Sequence, residues 1–179
     1  MMLRKGDFYC GAFLSILLNN NDNNIIPILF DENDNSNRRI YDICTNSGDY
    51  IVYIKYSEKP SSINNNKNSY LWTFTFTKIQ LDEIKKIFKE KSDDKKMVFV
   101  FICAFSTLKD SKFAVVDSSE ILKCIDLNRI DKYKDNQSVK IKLIKRHRNF
   151  NIYGTNHPDK KDGKDSSIKI LVNNINGLI

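Results

Sequence analysis

At 179 residues, 41% of them apolar and 28% charged, the chain has enough apolar side chains to build a core and too many to be a disordered polymer. The 29 Lys and Arg outnumber the 22 Asp and Glu, and the resulting +7 at pH 7 favours an anionic partner: nucleic acid, an anionic membrane surface or an acidic protein. The four cysteines, Cys10, Cys44, Cys103 and Cys124, stand apart in apolar surroundings without CxxC or Cys/His ligand spacing, which speaks against a structural zinc module and reads as free thiols in a reducing, cytoplasmic compartment.

The basic N-terminus followed by the apolar run Phe8–Leu18 has the outline of a secretory leader. Asp7 interrupts it, however, and Asn19-Asn20-Asn21 stands where small cleavage-site residues belong. The run is also too short to span a bilayer, so a buried first helix capped by Asp7 is expected, and no membrane association. Residues 25–30 read as a strand that Pro27 pushes to a sheet edge. The Asp- and Asn-rich stretch 31–37 lacks the Gly and bidentate Glu of a calcium loop and reads as a connection.

Next comes a hairpin, Arg38–Ser57, turning through Asn46-Ser47-Gly48-Asp49. With Thr45 opposite Tyr50, one face holds Tyr41, Ile43, Tyr50, Val52, Ile54 and Tyr56. The other holds Ile40, Asp42, Ile51, Tyr53 and Lys55, with Asp42 and Lys55 one diagonal pair apart. A polar low-complexity loop is expected over 58–69. Tyr70–Thr77 alternates cleanly, and its stripe Tyr70, Trp72, Phe74, Phe76 reads as core rather than as a base-stacking platform. Thr77-Lys78-Ile79-Gln80 is a capping-box pattern opening a helix with Leu81, Ile84, Ile87 and Phe88 on its inner side. Met97–Phe105 is continuously apolar, the mark of a strand buried on both faces. A strand over Lys112–Val116 and a short helix after Asp117 or Ser118 follow.

The last third is different in charge. Val139, Ile141 and Leu143 alternate with Lys140, Lys142 and Ile144, and Lys145, Arg146 and Arg148 come directly after. From Ser138 to Lys164 eight Lys or Arg face two Asp, so most of the excess charge sits in basic C-terminal β elements over 138–172. Lys140, Lys142, Lys145, Arg146 and Arg148 are therefore the candidate nucleic-acid contacts, with an acidic protein as the alternative partner. No Gly-rich phosphate loop, GxSxG elbow, HExxH or kinase signature is present, and His147 and His157 have no adjacent nucleophile. The whole reads as one α+β domain over 1–179, with a mixed, mainly antiparallel sheet and about three helices.

In the order helix, strand, hairpin with Asp42 and then Lys55, helix, buried strand, the chain resembles the PD-(D/E)xK nuclease superfamily, whose core is restriction-endonuclease-like. The resemblance covers roughly residues 7–105. It implies Asp42 as a Mg²⁺ ligand and Lys55 as the catalytic lysine beside the attacking water, within a diverged nuclease acting in phage–host conflict or on mobile elements. Tyr53 stands where that family places its second acid, leaving Asp49, Glu32 or Asp7 to substitute. The rival expectation is a binding or assembly module without catalysis.

Overall fold

The chain's computed structural model describes residues 4–19, 26–31, 37–45, 48–64, 68–128 and 136–175. In chain order these form α1 (Lys5–Asn19), β1 (Ile26–Asp31), β2 (Arg38–Thr45), β3 (Gly48–Ser57), β4 (Ser62–Asn64) and β5 (Ser69–Phe76). Then come α2 (Lys78–Glu90), β6 (Lys96–Cys103), β7 (Lys112–Asp117), α3 (Ser118–Cys124), β8 (Gln137–Ile144) and β9 (Asn149–Gly154). A two-residue-stranded hairpin, β10 (Lys160–Lys161) and β11 (Lys164–Asp165), precedes β12 (Ile168–Leu171). Most of the loop expected over 31–37, half of the hairpin turn and residues 65–67 lie outside the described residues.

The expected α+β class holds, but the strands divide between two five-stranded sheets, ordered β1-β2-β3-β6-β7 and β12-β9-β8-β5-β4. After β3 the chain leaves the first sheet to make β4 and β5 in the second. It returns through α2 to lay β6 parallel to β3, the one parallel pairing between the described strands of the two sheets. An unbroken apolar strand needs cover on both faces, and β6 has it: Met97 to Cys103 are all buried between β3 and β7. On one face Val98, Val100 and Ile102 meet Cys10, Phe13 and Leu17 of α1. On the other, Phe99 and Phe101 meet Trp72, Phe74 and Phe76 of β5, so the aromatic stripe is core, as expected. Trp72 keeps its indole donor satisfied by giving it to the Ala104 carbonyl at 2.9 Å.

α1 begins three residues earlier than the apolar run suggests. It buries only a stripe, leaving Phe8, Ile16 and Leu18 exposed, because a single sheet face covers it. Asp7 lies within its first turn, accepting from the Arg4 amide and from Arg39. Ser62–Asn64, within the stretch expected as a loop, pairs with β5 as a short edge strand. Among the described residues no helix is long and apolar enough to cross a membrane.

α2 carries its capping box as read: Thr77 Oγ1 accepts from the Gln80 amide, and Gln80 Oε1 accepts from the Thr77 amide. Thr77→Ala is expected to cost about 1 kcal/mol in a urea titration. A loss of less than a few tenths would show that the tertiary contacts alone set the start of this helix.

Candidate functional site

The hairpin register is two residues away from the expected one. Thr45 opposes Gly48 rather than Tyr50, which places Ile51 opposite Asp42 and Arg38 opposite Lys55. An even shift keeps every side chain on its face, so Asp42 and Lys55 do share one. They are nevertheless separated by four residues of β3, about 13 Å along the strand.

Each has its own partner. Asp42 accepts two bonds from Lys95 Nζ, at 2.7 and 3.0 Å. The Asp42 hydrogen bond leads the causes that hold the Lys95 ammonium above its usual range. Lys55 is completely buried, donates to Gln80 Oε1 at 2.8 Å and lies over the Phe76 ring at 4.8 Å. Burial pushes its pKa down to about 7; the Arg38 guanidinium adds to the shift and the Glu83 carboxylate opposes it. Arg38, also buried, forms an ion pair with Glu83 Oε1 at 2.5 Å, and Tyr53 Oη comes within 3.5 Å of Glu83 Oε2.

Sequence reasoning missed Arg38, Gln80 and Glu83 as a group. The available signal was the capping box: once Gln80 faces the hairpin, Glu83, three residues along the same helix, faces it too. Asp42 and Glu83 line a cleft of about 670 Å³ between α2 and the hairpin, floored by Ile51 and Ile87. Of the acids considered as substitutes beside Lys55, Asp7 bonds Arg39, Asp49 sits opposite Cys44, and Glu32 lies outside the described residues. Asp42 is engaged by Lys95 and Glu83 by Arg38, and about 13 Å of strand separates Asp42 from Lys55, so the structure does not bring the expected metal ligand and lysine together.

The basic residues of the last third do come together. In the second sheet the side chains of Val139, Ile141, Leu143, Phe150 and Ile152 point into the core, so alternation turns Lys140, Lys142, Asn151 and Tyr153 outward. The outward rows run Leu71–Lys142–Asn151–Lys169 and Thr73–Lys140–Tyr153, and contain no acid. Lys145, Arg146 and Arg148 are exposed at the β8–β9 turn, where Arg146 adopts a left-handed φ of 69°. Among the described residues none of Lys140, Lys142, Lys145, Arg146 and Arg148 has an ion-pair partner, whereas Lys169 is held by Asp165 and Asn151. At the far end of β9 the β10–β11 hairpin carries Lys160, Lys161 and Lys164 on exposed positions, turning through Asp162 and Gly163 at positive φ.

Comparison of the chain with family models, with characterised proteins and with solved structures gave no match.

Proposed function

We propose that the protein binds nucleic acid through the outer face of the second sheet and the β8–β9 turn. One observation carries this: five cations, Lys140, Lys142, Lys145, Arg146 and Arg148, lie on the outward rows and their turn without ion-pair partners among the described residues, while Asp165 beside these rows is engaged by Lys169. Cations scattered for solubility are commonly interspersed with acids. A polyanion gains from a one-sign surface, because each neutralised phosphate releases condensed counterions. The proposed role is binding and requires no divalent cation.

The test is fluorescence anisotropy with labelled nucleic acid over a salt series. Replacing Lys145, Arg146 and Arg148 together by Ala is expected to weaken binding roughly tenfold and to lower the salt slope by about 2–3. These side chains are exposed, so thermal stability should not change. Binding in EDTA and in Mg²⁺ at matched ionic strength should agree. An unchanged affinity and slope in the triple variant would remove this surface. An acidic protein partner would take its place if the intact protein ignored nucleic acid at low salt. Mg²⁺-dependent cleavage that disappears in Asp42→Ala and Lys55→Ala would replace binding by nuclease action.

A further inference from the structure

We infer that the nucleic acid taken by this surface is a single strand, laid along β8 with one base stacked on Tyr153. This rests on the nucleic-acid reading of the same face and specifies its substrate class.

Shape is the first ground. The outer face is five strands wide, about 19 Å from one edge strand to the other at the usual strand spacing. A B-form major groove is about 12 Å wide and admits a helix or a two-stranded ribbon, not a broad sheet. A flexible single strand, by contrast, can spread its bases over a flat surface.

The second ground is the arrangement of residue types. Tyr153 is the aromatic residue of the outward rows on β5, β8 and β9, partly buried and directly opposite Lys140, which in turn opposes Thr73. Lys142 lies in the adjacent row. A ring flanked by cations on a sheet surface offers a π-face for a base and charges for the phosphates on either side. The Asn151 oxygen is taken by Lys169 and the Thr73 hydroxyl by Ser61, which leaves the Asn151 NH₂ as a donor for a base edge.

Length is the third. From Ser138 to Lys145, the residue after β8, the chain spans about 23 Å, running from the ring's end of the sheet to the cationic turn. That is room for about four nucleotides, the low end for sheet-based single-strand binders. Phosphates at one end would meet Lys145, Arg146 and Arg148.

The experiment uses the full chain, with a fluorescein-labelled oligothymidylate about 12 nucleotides long and a duplex of the same length. The single strand is expected to bind at least tenfold tighter than the duplex. Tyr153→Ala should weaken single-strand binding roughly tenfold without changing the salt slope, since the ring neutralises no phosphate. Tyr153→Phe and Tyr153→Trp, which keep a ring, should stay within about threefold of wild type, on the same stacking ground. Photocrosslinking of a bromodeoxyuridine-substituted strand should mark Tyr153 even if the alanine variant fails to fold. Equal or tighter binding of duplex, or crosslinks that avoid β8 and β9, overturns the single-strand inference while leaving the electrostatic surface in place. Binding of neither probe at low salt overturns both.

Discussion

Lys55→Met is expected to stabilise the protein at pH 7 by about 2 kcal/mol, read from urea or thermal unfolding. The side chain is fully buried, and its ammonium has a neutral amide oxygen and an aromatic ring for company. In the unfolded chain the amine titrates near 10.5; in the fold it titrates near 7. At 1.36 kcal/mol per pH unit, holding the proton at pH 7 costs the fold about 4 kcal/mol. Methionine fills similar space without the charge. Loss of the bond to Gln80 offsets roughly half of the gain, since hydrogen bonds to charged groups contribute about 1.5–3 kcal/mol.

The pH dependence has a definite sign. Between about 7 and 10.5 the unfolded state binds more protons at this site than the folded state does, so wild-type stability rises with pH. Below that window both states hold the proton and the penalty is constant. The advantage of Lys55→Met should therefore shrink by about 1.5 kcal/mol between pH 7 and pH 8.5. Measurement should stop there, because Cys10 and Cys124 are pushed by burial to about 12 and subtract stability once unfolded thiols ionise near 9. A variant less stable than wild type, with a pH-independent difference, would show that Lys55 folds as a satisfied cation.

The two strands with the plainest apolar patterns were legible, and for physical reasons. β6 is apolar without interruption and β5 alternates without error; each pattern has one cheap solution, burial on two faces or on one. Alternation says which side of β5 is apolar but not which layer meets it, and so it could not separate one sheet from two. The hairpin shows the same limit. Thr45 opposite Tyr50 and Thr45 opposite Gly48 give identical faces, so no hydrophobic pattern could choose between them. That choice decides whether Lys55 sits near Asp42 or opposite Arg38. The basic surface was legible because its charges lie close together on one strand and its turn. The Arg38–Glu83–Gln80–Lys55 cluster was not, because its members are joined only by α2 crossing over the sheet.

Glu83→Ala should be the more damaging change in that cluster, at about 3 kcal/mol. Arg38 has a side chain only 3% exposed, and its guanidinium cannot shed its charge. Removing one partner of a buried pair typically costs 3–5 kcal/mol, because the remaining charge stays desolvated. The lower end applies here, since Glu83 is itself 21% exposed and water can enter the space it leaves from the cleft. Glu83→Gln keeps an acceptor and the volume but not the charge, and should fall between wild type and alanine. The two sites should also be coupled. Arg38 disfavours the charge on Lys55 and Glu83 favours it, so deleting the carboxylate makes the Lys55 proton costlier to hold opposite Arg38. In a Lys55→Met background that repulsion is gone, and Glu83→Ala should cost less than in wild type, by about 1 kcal/mol in a double-mutant cycle run at about pH 5.5, where Lys55 keeps its proton. Additive losses would mean that the opposed Arg38 and Lys55 do not sense each other. A loss below about 1 kcal/mol for Glu83→Ala alone would mean that Arg38's other contacts suffice to hold its charge.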